Sequence, residues 1–276
     1  MSVHTPPRPV GVDELRRAWR AVQDGQFRGR THPAPATRRD LRPAAPGRWL
    51  PTEPVLPLIG CHGSAGTSTT ALAIATAAGP ARVIECCTLT ASGLAPASFA
   101  ELGSGSGWAL GRRDTVLIAR TVDVLVSLQE IPVPEPADPH ITLTVLDIGW
   151  EIGQAVATPS WVGEQLLSAQ HVVVVTTATV PGIRRLEGAL ALLDTMHVVA
   201  AVVGPRRRRW PRSIQGGMGP LVRGLDDRGD LVEIPADKQL AARGLDSTPL
   251  PPPLLSAAGT LLRQVGDGTT NPKGSP

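Results

Sequence analysis

The sequence predicts a doubly wound α/β domain with a mostly parallel sheet and flanking helices. Short apolar runs of strand length alternate along the chain with segments of helical periodicity, and a glycine-rich loop follows the first run. Apolar residues make up 42% of the 276 residues and aromatic residues only 3%, so a core of Leu, Val, Ile and Ala is expected. Strands that alternate with helices pair in parallel through right-handed crossovers.

The first strand, loop and helix occupy residues 55–78. An apolar run, 55–59, leads into a loop of small residues, 60–67, and an Ala-rich helical segment begins at Ser68. In this geometry backbone N–H groups line a concave loop, and the helix adds its unpaired donors and the positive end of its dipole. An anion, with phosphate as the first choice, is therefore expected at the loop.

The loop matches the phosphate-binding pattern G-x-x-x-x-G-K-[ST] in part. Residues 61–68 hold the eight positions of the pattern. Gly66 and Ser68 match it, whereas Cys61 and Thr67 do not. Small-residue turns between a strand and a helix also occur in α/β folds for packing alone, so a loop without a ligand is the alternative.

The same loop resembles the deviant Walker A motif, K-G-G-x-G-K-[ST], of the ParA/MinD family of partition and positioning ATPases, which are P-loop NTPases of the SIMIBI class. Gly63, Gly66 and Ser68 occupy their motif positions. The two lysines of the motif fall on His62 and Thr67. The resemblance implies a P-loop NTPase-like fold and a site for ATP and Mg²⁺.

Both lysines of that motif are missing, and Ser64 replaces its second glycine. The chain has only two lysines, Lys238 and Lys273, so no small shift of register supplies one. A charge-assisted hydrogen bond contributes roughly 1.5–3 kcal/mol, and its loss weakens phosphate binding by about one to two orders of magnitude. We therefore expect weak nucleotide binding and little or no hydrolysis.

The resemblance follows the order of elements over residues 55–265 and implies a set of site residues. An apolar run, 141–148, ends in Asp147 as a Walker B strand does, where the Asp holds a water of the magnesium ion; this Asp could also cap the next turn. The family's strand after the loop helix ends in D-x-D, and here Glu85 keeps an acid while Cys87 loses one. The implied catalytic residues are Asp147 and Glu85, the metal ligands are Ser68 and Asp147, and the nucleotide-binding residues are Gly63, Ser64, Ala65, Gly66, Thr67, Ser68, Thr69 and Pro235, with Ile234 and Ala236 also beside the base.

An arginine-containing segment offers a replacement for the missing lysines. Trp108 lies in a stretch, 88–111, whose Gly, Ser and Ala content predicts a surface excursion with little regular structure, and Arg112 and Arg113 follow this stretch directly. The guanidinium of either arginine could contact a phosphate, or it could stack on the indole or stay solvated. A competent ATPase that uses Arg112 or Arg113 instead of lysine is therefore one hypothesis.

Positive charge is concentrated in an N-terminal arm. Residues 1–54, rich in Pro and Arg, carry ten Arg against five acidic residues, whereas the whole chain has a net charge of +3. Residues 12–27 have the periodicity of a short amphipathic helix. This helix either packs on the domain or docks a partner protein or a nucleic acid.

A second basic block follows a late strand. Four consecutive arginines precede a tryptophan, namely Arg206, Arg207, Arg208, Arg209 and Trp210. Such a block can bind a phosphate backbone by charge and a base by stacking. The block therefore predicts a nucleic-acid surface, with a solvated loop as the alternative.

Other function classes find no support in the sequence. No apolar run reaches the roughly 18 residues of a membrane span, and the N-terminus lacks an apolar secretory segment, so a cytoplasmic protein is expected. Cys61, Cys86 and Cys87 are too few and too close for a disulfide framework, and no zinc-ligand spacing or G-x-S-x-G motif occurs. The last residues, 266–276, cannot form an amphipathic membrane helix.

The sequence thus predicts an arm over 1–54, a ParA/MinD-like domain over 55–265 and a disordered tail over 266–276. The leading hypothesis is a degenerate P-loop protein that binds nucleotide and acts as a scaffold in DNA partition or conjugal transfer. The alternative is a DNA-binding adaptor that uses its arginine-rich surfaces without nucleotide. The expected partners are DNA, a protein that docks on residues 12–27, and a second copy of the chain, although His62 replaces the lysine through which the family dimerises.

Overall fold

The computed structural model describes residues 47–88 and 90–267. The amphipathic helix predicted at 12–27 and the tail after residue 267 lie outside these residues. The strands are β1 (Val55–Gly60), β2 (Ala81–Cys87), β3 (Ala100–Gly105), β4 (Trp108–Arg113), β5 (Val116–Thr121), β6 (Leu143–Gly149), β7 (His171–Thr177), β8 (His197–Gly204) and β9 (Leu231–Pro235). The helices are α1 (Thr67–Ala78), α2 (Ile152–Ala157), α3 (Trp161–Ser168), α4 (Val180–Leu192), α5 (Arg212–Gly216), α6 (Pro220–Asp227), α7 (Lys238–Arg243) and α8 (Pro252–Asp267).

The strands form one sheet in the order β3-β4-β5-β2-β6-β1-β7-β8-β9. From β5 across to β9 every pair of neighbours is parallel. Only the β3–β4 and β4–β5 pairs, at one side of the sheet, are antiparallel. The predicted doubly wound, mostly parallel α/β fold is therefore confirmed.

Helices cover both faces of the sheet. In β1, Leu56 and Leu58 pack in the core under α1, α7 and α8, whereas Ile59 belongs to the core under α2 to α6. A strand buried on both faces has no polar side to expose. This explains why β1, β7 and β8 appear in the sequence as continuous apolar runs.

The stretch 88–111, predicted to be largely irregular, instead contributes an antiparallel hairpin, and that prediction is wrong. β3 and β4 are joined by Ser106 and Gly107, whose φ values of 52° and 84° are typical of a tight two-residue turn. Gly103 follows a shift in the β3–β4 register and also has a positive φ, 106°. The glycines of this stretch therefore mark a turn and an irregularity within strands rather than the absence of strands.

Residues just before β1 pack on the domain although the sequence analysis assigned them to the arm. The rings of Trp49 and Trp161 meet edge to face, with centroids 5.2 Å apart. Oε1 of Glu53 accepts hydrogen bonds from Arg82 Nη2 and from Thr144 Oγ1, both at 2.6 Å. These contacts tie the segment before β1 to the sheet at the edge where the parallel strands begin.

A search of the helices in the described ranges found none with the length and apolar character that crossing a bilayer requires.

Candidate functional site

The glycine-rich loop lies at the centre of the edge where the parallel strands end. It connects β1 to α1, and β1 lies between β6 and β7 in the sheet. In open α/β sheets, ligands bind outside the carboxyl ends of the strands where the chain connections diverge to either side. The fold thus places residues 61–68 at the position where a bound ligand is expected.

The backbone of the loop forms a concave turn with unused donors. Ser64 and Gly66 have φ values of 60° and 95°, in the left-handed region, and Gly66 is the N-cap residue of α1 without a side-chain cap. Among the described residues, the N–H groups of Ser64, Gly66, Thr67 and Ser68 have no backbone acceptor. Helix donors without partners at the start of a twelve-residue helix, with no acidic residue in its first turn, favour an anion.

Thr67 and His62, which occupy the two lysine positions of the motif, contact the ends of β1 and β7. The Thr67 side chain packs over the end of β1, since a Cβ added to Gly60 would lie 2.5 Å from Thr67 Oγ1. His62 Nδ1 donates to the carbonyl oxygen of Gly63 at 2.8 Å, and its Nε2 lies 3.2 Å from Thr177 Oγ1. Thr67 therefore brings no charge to the loop, and the His62 ring is tied to the end of β7.

Ser68 and Asp147, the predicted metal ligands, lie side by side. Asp147 pairs with Glu85 of β2 and Leu58 of β1 in the sheet, and only 2% of it is exposed. The pKa of Asp147 is raised to about 7, mainly because the group is buried. A hydrogen bond from the Ser68 hydroxyl acts to lower this pKa, and the charge of Glu85 acts to raise it. Oδ2 of Asp147 is buried and has no hydrogen-bond partner among the described residues.

Glu85, the second predicted catalytic residue, anchors the segment after β2. One carboxylate oxygen accepts from the N–H groups of Gly93 (2.8 Å) and Leu94 (3.0 Å), and the other accepts from Ser92 Oγ (2.9 Å). A Cβ added to Gly93 would lie 3.7 Å from Ser68 Oγ. Glu85 thus holds this segment against the start of α1, a role that the sequence did not reveal.

The cysteines near the site are poor nucleophiles and do not form a metal centre. Burial raises the pKa of the Cys61 thiol to about 11 and raises the pKa values of Cys86 and Cys87 as well. Within residues 47–88 and 90–267, no group of three or more His, Cys, Asp or Glu side chains is arranged to hold a metal ion.

Arg112 and Arg113 do not replace the missing lysines, and this hypothesis is wrong. Both lie at the far end of β4, where Arg113 pairs with Val116 at the start of β5, so they are at the opposite edge of the sheet from the loop. Arg113 is buried, and its guanidinium donates to the carbonyl oxygens of Ala97, Asp246 and Thr248. The guanidinium stacks on a ring as anticipated, but on Phe99 rather than on Trp108.

The predicted base-side residues lie at the same edge as the loop. A Cβ on Gly66 would lie 3.4 Å from Val203 near the end of β8, and Pro235 at the end of β9 pairs with Gly204 of β8. Pro235 and Ala236 are exposed. Ile234 is 2% exposed and belongs to the core, so the part of the prediction that places it beside a base is wrong.

In the basic block, 206–210, some side chains are exposed and others contact the rest of the protein. Trp210 is 5% exposed, and its Nε1 donates to the carbonyl oxygen of Pro205, so its predicted stacking on a base is wrong. Arg207 pairs with Asp226. Arg206, Arg208 and Arg209 are exposed and have no acidic partner among the residues that the structure describes.

The sequence analysis missed the contribution of β7 and α4 to this site. Thr177 and Thr179 follow the apolar core of β7, and Thr179 is the N-cap residue of α4. A threonine two residues before a proline is a recognisable helix start. That this helix begins beside the loop follows only from the position of β7 next to β1.

No protein-family model matches the chain, and a comparison with curated proteins found no match. Solved structures similar to it include a cell division protein, a plasmid partition protein and a diamide synthase. The MinD cell division protein of Aquifex aeolicus is 13% identical, with a TM-score of 0.48, and the match covers 81% of this chain and 99% of that one. A plasmid partition protein of Borrelia burgdorferi is 11% identical, with a TM-score of 0.46 over 78% and 99% of the two chains. Cobyrinic acid a,c-diamide synthase of Mycobacterium smegmatis, with bound ADP and magnesium, is 13% identical, with a TM-score of 0.42 over 81% and 100%. At these values the similarity supports no conclusion about function.

Proposed function

We propose that residues 61–68 bind the phosphates of a nucleotide, ATP or ADP, mainly through backbone N–H groups, and that the chain hydrolyses ATP weakly or not at all. The observation that carries this proposal is the concave loop, in which Ser64, Gly66, Thr67 and Ser68 offer donors without a backbone acceptor. Backbone donors need no lysine, and each hydrogen bond to a charged phosphate contributes roughly 1.5–3 kcal/mol.

The residues beside the loop also fit a magnesium ion. Ser68 and Asp147 would hold it, because hydroxyl and carboxylate oxygens are the ligands that Mg²⁺ prefers, and one oxygen of Asp147 is buried without a partner in the part of the chain that the structure describes. The ion would neutralise phosphate charge when bound. The exposed residue Pro235 is the one proposed to contact the base of the nucleotide.

Weak turnover follows from two features of the loop and its surroundings. Neither His62 nor Thr67 reproduces a lysine at the phosphates. Glu85 is engaged by three donors of the segment 92–94, so among the predicted catalytic residues only Asp147 has an oxygen to spare. A site with these features binds phosphate, but no lysine of the loop stabilises a transferring phosphoryl group. Its role would then be association rather than catalysis, and the resemblance of the loop suggests DNA partition or conjugal transfer.

Calorimetric titration with Mg²⁺-ATP and Mg²⁺-ADP, together with a phosphate-release assay, tests the proposal. Ser68→Ala should weaken binding about fivefold or more, because the hydroxyl is lost from the magnesium side. Thr76→Ala is the matched control: this hydroxyl lies two turns further along α1 and bonds to the carbonyl oxygen of Leu72. Binding without turnover is the expected result. The absence of binding, or a turnover that Asp147→Ala abolishes, would contradict the proposal.

A second candidate function is supported by the exposed arginines. Three exposed guanidinium groups have no acidic partner among the described residues, namely those of Arg206, Arg208 and Arg209. They are therefore available to contact the phosphates of a nucleic-acid backbone. We propose DNA binding through this surface as the alternative function. In a fluorescence-anisotropy titration with duplex DNA, replacing the three with Ala should reduce the salt slope by about 2–3. Arg207→Ala is the control and should change the salt slope less, because its guanidinium is already paired with Asp226. Binding that does not depend on salt would contradict this alternative.

A further inference from the structure

The loop of the proposed phosphate site carries no lysine, and its donors are neutral amides. A triphosphate brought to a loop of neutral amides beside two carboxylates, Asp147 and Glu85, would be repelled by any charge that they retain. A cationic side chain that faces the loop would offset this repulsion. Arg113 is buried at the opposite edge of the sheet. The surroundings of α4 provide a better placed residue.

A chain of hydroxyl groups joins the start of α4 to the loop. His62 Nε2 lies 3.2 Å from Thr177 Oγ1, and Thr177 Oγ1 lies 3.1 Å from Thr179 Oγ1. Thr179 Oγ1 in turn accepts from the N–H of Gly182 at 3.1 Å. A Cβ on Gly182 would lie 2.3 Å from the carbonyl oxygen of Thr177, so the first turn of α4 sits directly on the end of β7. The first turn of α4 is thereby fixed next to His62.

Arg185 lies one helical turn after Gly182, on the same face of α4. Ala189, the next residue along this stripe, is buried, whereas Arg185 itself is exposed, so Arg185 lies at the border of the buried face of α4. Arg184 lies about 100° away from Arg185 around the axis of α4.

Glu187, on the opposite border of α4, accepts hydrogen bonds from the N–H groups of Leu221 and Val222 of α6. The border that carries Arg185 therefore faces away from α6 and toward β1, which lies on the other side of β7 from β8.

Electrostatics support this placement. Burial raises the pKa of Cys61, the first residue of the loop, to about 11, and the charge of Arg185 acts in the opposite direction. Arg185 is exposed, and no hydrogen bond or ion pair to another described residue occupies its guanidinium. Arg185 is thus close enough to Cys61 for its charge to act on the thiol, and its guanidinium has no partner among the described residues.

We infer that Arg185 supplies the positive charge that the loop lysines provide in the motif, by contacting the terminal phosphate of a nucleotide held at residues 61–68. This inference rests on the proposed nucleotide binding. A guanidinium contacts phosphate oxygens through two parallel N–H groups. Because Arg185 reaches the loop from α4, beside Cys61 and His62, it makes the site selective for nucleoside di- and triphosphates over monophosphates.

Titration calorimetry with ATP, ADP and AMP at about 100 mM salt tests the inference with four variants. Arg185→Ala should weaken ATP binding about tenfold, the loss of one charge-assisted contact, and should reduce the preference for ATP over AMP. Arg185→Lys should recover part of the affinity. Arg184→Ala is the matched control, with the same change of charge on the adjacent residue, and should change the affinity by less than about twofold. Thr67→Lys combined with Arg185→Ala should restore ATP binding, because it returns a cation to the loop.

The outcomes separate this inference from the proposed function. Binding of ATP by the unmodified protein with equal effects of Arg185→Ala and Arg184→Ala would overturn the role of Arg185 and leave nucleotide binding standing. Absence of ATP binding by the unmodified protein would overturn both. A loss of affinity in Arg185→Ala that Thr67→Lys does not restore, with a lowered thermal midpoint, would show a structural role and also overturn the inference.

Discussion

Among single residues, Asp147 is a carboxyl group enclosed in the sheet beside the glycine-rich loop. It is 2% exposed, lies next to a second carboxylate, and has one oxygen without a partner among the described residues. Burial raises its pKa to about 7 from an ordinary value of 3.8. The folded protein therefore holds a proton at Asp147 in a range of pH in which the unfolded chain has released it.

This proton makes stability depend on pH in a defined direction. Between about pH 4 and pH 7 the folded state binds more protons at Asp147 than the unfolded state, so the free energy of unfolding falls as the pH rises and levels off above the folded pKa. We expect Asp147→Asn, which mimics the protonated acid, to remove this dependence. In urea unfolding, the variant should gain about 2–4 kcal/mol relative to the unmodified protein between pH 5 and pH 8. A difference between the two proteins that does not change with pH would contradict the assigned pKa.

The sequence predicted some site residues and could not predict others, for a physical reason. Gly66 and Ser68 belong to a local motif, and their conformations depend on a few neighbouring residues, so the sequence located them. The position of Arg185 beside the loop and the engagement of Glu85 by residues 92–94 depend on which strands are neighbours. Contacts that form only after the sheet has assembled leave no local pattern in the sequence.

At the scale of elements, the segment after β2 is held by one carboxylate. Glu85 accepts hydrogen bonds from Ser92, Gly93 and Leu94, and Gly93 lies against Ser68. The segment therefore covers the side of the site where Ser68 and Asp147 meet. Its order depends on a buried charge-assisted network, which is costly to leave half satisfied.

We expect Glu85→Gln to loosen this segment. A glutamine presents an amide NH₂ group where one of the donors now finds a carboxylate oxygen, so the free energy of unfolding should fall by about 1–3 kcal/mol. Hydrogen exchange of the Gly93 and Leu94 amides should become faster. Glu101→Gln is the control, because Glu101 is an exposed residue of β3 paired with Arg120, and its loss should change stability by less than about 1 kcal/mol. Unchanged exchange at Gly93 and Leu94 in Glu85→Gln would contradict the anchoring role.

The β3–β4 hairpin shows where element prediction from sequence fails. Its residues are small, and β3 is exposed along its whole length, so it lacks the apolar run by which β1, β7 and β8 were predicted. The left-handed conformations of Ser106 and Gly107 and the register shift near Gly103 became evident only in the paired strands. A strand at the side of a sheet carries a weaker pattern because it buries less of its surface.

At the scale of the whole molecule, the two edges of the parallel sheet differ in character. The edge where the strands begin is closed by a buried network of Arg82, Glu53 and Thr144. The edge where they end carries the loop, the Asp147 carboxylate and the exposed residues Pro235 and Arg206. The parallel fold thus places these residues at one edge, and this organisation was predictable from the order of strands and helices alone.

We propose that residues 61–68 bind phosphate through backbone N–H groups. Thermal unfolding in the presence of Mg²⁺ with ATP, ADP or adenosine measures whether phosphate is what the site recognises. A ligand at 100 times its dissociation constant adds about 2.7 kcal/mol to stability, which raises the midpoint of a domain of this size by roughly 5–10 °C. We expect such a rise with ATP and ADP and none with adenosine. No rise with either nucleotide at millimolar concentration, or an equal rise with adenosine, would contradict the claim.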